Sequence, residues 1–386
     1  MAVQNFYFAG GGTGGHIYPA LAVAQQIVKL RPDAKITFFC SDRAIDSQIL
    51  AKTGFRYISL PAVGFSANPM QVLKFLLSTR KSRQLAKKEL AANSPGVLIG
   101  VGGFVSAGPI LAAHKLGIPV KMLNTDSVPG KANKFLARYA DDIYVQFELS
   151  RSYFGNAAGR VVVTGCPLRA EFANPDKSKA LKELGISNTK KILLITGASS
   201  GARSINNAIC ALLDKLAAFA DSWQIVHLTG HTDYESVKSG YKDCRIAHKV
   251  VDYYDGMADL LAAADLVIGR AGAVSVAEYA AAGVPCIVMP YPYHKDNHQR
   301  TNAEQLEKAG CLIIVDDKID PQLNAQSLWP HLDKLMSEYR APNVSDGYKK
   351  TENEKTDHSP LQEMRQKAHQ FGTPAAAADI AKRILK

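Results

Sequence analysis

Four glycine-rich loops carry the residue types that could do chemistry. They are GGGTGGH over residues 10–16, GVGGFVSAG over 100–108, GASSGA over 197–202 and GRAGAVS over 269–275. Each follows a short apolar run and leads toward a helical pattern. Backbone N–H groups and the positive end of a helix dipole are therefore available to an anion at each one. A single loop of this kind is as easily a tight turn. Four of them, spread over both halves of the chain, point instead to one ligand gripped between two domains. The first loop ends in His16, and an imidazole there titrates near neutrality and can take a proton from a hydroxyl.

Residues 269–302 are the densest stretch. Glu278 falls about one turn into the helix that starts near Val274, where a carboxylate can accept both hydroxyls of a ribose. The same glutamate could simply favour the helix dipole. Downstream, His294, Lys295, Asp296, His298, Gln299 and Asn302 crowd a short span. Their amides and imidazoles suit sugar hydroxyls, and their spacing is not that of a zinc motif. No Asp-x-Asp pair stands beside a phosphate loop, so neither metal nor cofactor is expected. A rival reading starts from Gly10, Gly12 and Gly15, which spell the dinucleotide fingerprint, with Asp42 as the ribose acid. It makes the protein a nicotinamide-dependent oxidoreductase.

The elements that must hold these residues read as α/β. Candidate strands cover 5–9, 36–40, 97–101, 120–123 and 143–145, then 191–196, 224–228, 266–269, 286–289 and 312–315. Helical patterns lie between them, among them 19–30, with Pro19 in its first turn and Ala20, Leu21, Ala24, Ile27 and Val28 on one face. A chain of 386 residues suits two domains. The economical architecture is two Rossmann-like halves facing a cleft, divided as 1–166 and 167–371, with a closing helix over about 372–386 that packs back on the first. The polar run 341–360 reads as an exposed loop.

Composition narrows the partners. The excess of 46 Lys and Arg over 35 Asp and Glu, a net +11, suggests an anionic partner. No helix-turn-helix, zinc-finger or aromatic-basic pattern appears, which disfavours nucleic acid. Six well-separated cysteines form no C-x-x-C pair, and no apolar run is long enough to span a bilayer. A cytoplasmic protein is expected.

The motifs GGGTGGHIYPALAVAQ, GVGGFVSAGP, GASSGARSIN and AGAVSVAEYAAAGVP followed by HKDNHQRTNA resemble, in order, those of the MurG family. The resemblance implies a GT-B fold and metal-independent, inverting transfer of N-acetylglucosamine from UDP-GlcNAc to lipid I, giving lipid II for peptidoglycan. It implies that His16 is the general base and that Thr13, Gly14 and Gly15 approach the donor sugar and diphosphate. Arg169 and Ser199 would hold phosphate, and the backbone at Tyr254 would read uracil. Ala273, Val274, Ser275, Val276, Ala277 and Glu278 would hold phosphate and ribose, while Gln299 and Asn302 would contact the sugar. The sequence departs from the family at Leu123-Asn-Thr-Asp126, which places Asp126, a second candidate catalytic residue, where an asparagine is usual. Ala271 and Ser200 also replace a common serine and glutamine. A related transferase with another lipid or saccharide acceptor is the alternative. A lipid acceptor requires contact with the inner face of the membrane. Residues 68–90 offer it, setting Met70, Val72, Leu73, Phe75, Leu76 and Leu77 beside Lys74, Arg80, Lys81, Arg83, Lys87 and Lys88 for an anionic surface.

Overall fold

β-Branched and aromatic runs separated by helices build two parallel sheets. The computed structural model describes residues 4–12, 14–64, 68–93, 95–198, 201–293, 297–338 and 359–386. Thr13, Ser199, Ser200, His294, Lys295, Asp296 and all but the end of the expected 341–360 loop lie outside them. The chain divides into two compact units, residues 1–170 with 373–386, and residues 171–372.

The first unit holds β1 (Asn5–Gly10), β2 (Lys35–Ser41), β3 (Arg56–Leu60), β4 (Gly96–Gly102), β5 (Val120–Asn124), β6 (Asp142–Val145) and β7 (Val161–Val163). Their order is β3-β2-β1-β4-β5-β6-β7, with every pair parallel. Alternation along β1 sends Phe6 and Phe8 to one face and Tyr7 and Ala9 to the other. The first face is covered by Ile17, Leu21, Ala24 and Ile27 of the helix Gly14–Leu30 and by Ile380, Ala381 and Ile384 of the helix Ala376–Ile384.

The second unit repeats the plan with β8 (Lys191–Thr196), β9 (Trp223–Leu228), β10 (Ala247–Val251), β11 (Leu266–Gly269), β12 (Cys286–Val288) and β13 (Leu312–Ile314). The order is β10-β9-β8-β11-β12-β13, again all parallel. In each sheet the order reverses beside the first strand, between β1 and β4 and between β8 and β11. Open α/β sheets bind ligands outside the carboxyl ends of the strands at such a point. The four strands that flank these two points are the four that feed the glycine loops.

Two expectations need correction. The helix expected from Pro19 begins at Gly14, so Pro19 lies inside it and has no N–H to give the Gly15 carbonyl. Strands β3, β7 and β10 were not anticipated; all three are sheet edges.

Candidate active site

In the first unit the loop after β1 is held by a carboxylate within the protein. Asp46, fully buried, accepts the Gly12 N–H at 2.9 Å and the Ser41 N–H and hydroxyl at 2.9 and 2.6 Å. A Cβ on Gly11 would fall 2.1 Å from the same carboxylate. Arg43 donates to the Gly12 carbonyl at 3.1 Å. The Gly12 amide that the dinucleotide fingerprint would turn toward a pyrophosphate is therefore committed, and Asp42 is exposed. The committed amide speaks against the oxidoreductase reading.

His16 is the third residue of the helix Gly14–Leu30 and is half-buried. Its imidazole lies against the end of β4. A Cβ on Gly102, whose φ is +101°, would sit 3.1 Å from His16 Nε2 and 3.5 Å from Asn133 Nδ2. Glycine there supplies the left-handed backbone and leaves room for the ring. Asn133 donates to Asn124 Oδ1 at 3.1 Å, and Asn124 donates to the Asp126 carbonyl at 2.7 Å. Ser150 gives that carbonyl a second hydrogen bond at 3.3 Å. The Asp126 backbone is thus fixed at the carboxyl end of β5, with its side chain half-buried. Arg169 is half-buried and lies over the ring of Tyr18, 5.3 Å from its centroid. Tyr18 is two residues beyond His16 on the same helix, about 200° round its axis, so Arg169 is held by the first turns of the helix that carries the expected base. Gly14 and Gly15 open that helix and are at least partly exposed.

The second unit arranges its own loops at the carboxyl end of its sheet. Gly201, with φ +75°, backs onto the β9 loop so closely that a Cβ would meet the Thr229 carbonyl at 2.3 Å. The helix Ala273–Ala282 follows β11, and its first intrahelical bond runs from the Val276 N–H to the Gly272 carbonyl. The N–H groups of Ala273, Val274 and Ser275 precede that bond and carry the positive end of the helix. Val274, Ser275 and Glu278 are half-buried on that helix, whereas Ala273, Val276 and Ala277 are buried. Tyr254 follows β10 and donates to Glu183 at 2.6 Å. Burial first, then that carboxylate, pushes its pKa up. Beside it Tyr253 stacks on His231, whose Nδ1 lies 2.6 Å from Asp252. The His231 hydrogen bond holds the Asp252 carboxyl below the usual range. Gln299 accepts the Tyr291 N–H at 2.9 Å through Oε1. Asn302 is fully buried and, so folded, presents no surface to a sugar.

Among the described residues, left-handed backbone at a residue other than glycine occurs at Ala198, Asn297 and Ile319, with φ of 58°, 47° and 69°. All three lie in loops after strands of the second unit. Strain of this kind collects at functional sites. Asp46, Tyr18, Asn133 and the buried pair Arg270–Asp317 were not anticipated. Arg270 lies in the glycine-rich run after β11, but nothing local marks Asp46 or Asp317, whose Gly12 and Arg270 partners are distant in sequence.

Paired Rossmann-like units with glycine loops at both switch points make a fold of the GT-B type, and both halves match glycosyltransferase domains. Residues 6–145 match the Glycosyltransferase family 28 N-terminal domain and residues 192–367 the Glycosyltransferase family 28 C-terminal domain. The fold resembles the crystal structure of Acinetobacter baumannii MurG, with TM-score 0.70, 24% identity and 99% of each chain covered. It also resembles the UDP-GlcNAc 2-epimerase of Neisseria meningitidis bound to UDP-GlcNAc, with TM-score 0.62, 16% identity and 99% of each chain covered. The chain is 34% identical, over 96% of its length and 95% of the relative's, to UDP-N-acetylglucosamine–N-acetylmuramyl-(pentapeptide) pyrophosphoryl-undecaprenol N-acetylglucosamine transferase 1 of Bacillus thuringiensis. It is 36% identical, over 85% and 89%, to the transferase of the same name from Desulfitobacterium hafniense. The chain belongs to the MurG family.

Proposed function

We propose that the protein transfers N-acetylglucosamine from UDP-N-acetylglucosamine to lipid I, forming lipid II for peptidoglycan. What carries the reading is the full-length match to transferases of that name. The glycine loops at both switch points and the His16 position give it a chemistry. The second unit takes the donor. The N–H groups of Ala273, Val274 and Ser275, with the loop bearing Ser199, hold the diphosphate. Glu278 accepts the ribose hydroxyls, the backbone at Tyr254 reads uracil, and the amide of Gln299 faces the sugar, with Asn302 supporting its helix. The first unit takes the acceptor. His16 removes the acceptor hydroxyl proton as that oxygen bonds to the anomeric carbon and the bond to UDP breaks, with inversion. Arg169 and the helix N-termini stabilise the charge gathering on UDP.

The acceptor is carried by a lipid, and the helix Pro69–Ala92 is the surface we assign to it. None of its first ten residues is fully buried: Met70 is 67% exposed and Leu73, Leu76 and Leu77 are each 57% exposed. Phe104 joins them, edge-on to Phe75. An exposed apolar patch beside exposed Arg80, Lys81, Lys87 and Lys88 fits an anionic membrane surface. No helix among the described residues is long and apolar enough to cross a bilayer.

Two measurements test the reading. UDP and UDP-N-acetylglucosamine should raise the melting temperature while NAD and NADP do not, since a ligand at about 100 times its Kd adds roughly 2.7 kcal/mol. Glu278→Ala should weaken that response. Turnover of labelled UDP-N-acetylglucosamine should occur with lipid I and fall roughly 10²–10⁴-fold in His16→Ala. Stabilisation by NAD alone would refute the transferase. Turnover only with another acceptor would move the assignment to a different saccharide, through the Leu123–Asp126 departure.

A further inference from the structure

One buried cluster lies at the carboxyl end of the second sheet, outside the donor contacts assigned above. Arg270, 8% exposed, leaves the end of β11 and donates to the Met289 carbonyl after β12 at 2.9 Å. It also donates to the Ser204 hydroxyl, in the first turn of the helix Arg203–Cys210 after β8, at 2.8 Å. Its third partner is Asp317, in the loop after β13, at 2.7 Å. Four loops are therefore tied through one guanidinium, whose planar fork suits several partners at once.

Asp317 is the other half of the tie. Its side chain is fully buried, and Oδ2 accepts from both Arg270 and Ser204. Oδ1 accepts the Ile319 N–H at 2.8 Å and Asn324 Nδ2 at 2.9 Å. Both oxygens are occupied by the protein, so this carboxylate is turned inward rather than toward a ligand. The loop that delivers it is strained. Ile319, a β-branched residue, is held at φ +69°, and Asn324 also accepts the Lys318 N–H at 2.7 Å. Such a conformation persists only where its surroundings over-determine it.

We infer that Asp317 is a positioning residue of the donor half-site: by fixing Arg270 it sets the turn from which the N–H groups of Ala273, Val274 and Ser275 project. Arg270 lies three residues before those groups, and its own carbonyl accepts the Tyr279 hydroxyl, at 3.4 Å, from within the helix they begin. Removing the carboxylate leaves the guanidinium buried without its counter-charge and frees the turn to shift. The inference rests on the reading of the second unit as the UDP-sugar site.

The test uses the full-length protein and UDP as probe. Binding is measured by calorimetry well below every melting temperature for wild type, Asp317→Asn, Arg270→Lys, the double variant and Leu335→Ala. Leu335 is a buried core residue of the same unit, and its truncation controls for destabilisation alone. Asp317→Asn should weaken UDP about ten-fold or more and raise KM for UDP-N-acetylglucosamine alike, with acceptor KM unchanged. The double variant should be little worse than the weaker single one, as expected of partners in one network. Leu335→Ala should melt earlier and keep wild-type UDP affinity. If Asp317→Asn also melts earlier with UDP affinity intact, its role is structural and the inference falls. If wild type itself does not bind UDP, the donor reading falls and takes this inference with it.

Discussion

At the scale of single residues, burial decides what each ionisable group can do. His227 on β9 is fully buried, and desolvation pushes its pKa down to about 3. Its neighbours suit a neutral ring. Asn206 spends its amide on the Thr229 carbonyl and Asp233 and turns Oδ1 to Nε2 at 3.0 Å, so Nε2 carries the proton. The Tyr241 hydroxyl lies 3.0 Å from Nδ1 and donates to it. An unfolded histidine titrates near 6.5, so below that pH the unfolded chain binds a proton that the native ring refuses. Stability contributed by this site is complete above about pH 7 and declines as pH falls from about 6.5 toward 3. The loss at pH 4.5 should be roughly 2–3 kcal/mol. Urea unfolding from pH 4.5 to 7.5 should show this slope in wild type and a flatter one in His227→Gln. Parallel curves would show that His227 does not set the acid limb.

At the scale of elements, strain and exposure govern both behaviour and legibility. Ile319 is half-exposed and left-handed, a combination that loses little burial when the side chain is removed. Ile319→Gly should therefore stabilise the protein by roughly 1 kcal/mol, seen as a higher melting temperature, while Asp317 keeps its N–H partner. A lower melting temperature would mean that the left-handed turn carries no recoverable strain. The same exposure explains which strands the sequence revealed. Central strands such as Lys191–Thr196 and Leu266–Gly269 are buried on both faces and read as continuous apolar runs. The edges Arg56–Leu60 and Ala247–Val251 are mostly exposed and carry Arg56, His248 and Lys249, so no apolar run announces them. The glycine loops were legible because tight backbone turns need glycine. Their internal partners were not, because Asp46 and Asp317 are ordinary acids until the fold brings distant loops to them. Pro19 misled for a local reason: it suits a first turn, yet Gly14, Gly15 and His16 extend the helix before it, and that extension sets His16 against Gly102.

At the scale of the whole molecule, the membrane docking proposed above rests on net charge and one exposed helix. The excess of +11 attracts anionic surfaces over a Debye length of about 8 Å at physiological ionic strength. Attraction alone would hold the protein near a membrane without fixing which face meets it. In the proposed docking the exposed apolar residues Met70, Leu73, Leu76, Leu77 and Phe104 would supply that choice, because burying them in the interface does not depend on charge screening. The two contributions separate experimentally. Flotation with vesicles containing phosphatidylglycerol should weaken as salt rises, and Gln at Lys81, Arg83, Lys87 and Lys88 should remove most of that salt dependence. Leu76→Gln with Leu77→Gln should instead weaken the binding that survives high salt, by about thirty-fold if each side chain contributes roughly 1 kcal/mol. Both sets of variants should keep turnover on a soluble acceptor analogue, since neither touches His16 or the donor loops. Equal flotation with neutral vesicles would remove the electrostatic half of the assignment. Unchanged high-salt binding in the leucine double variant would move the docking face away from this helix.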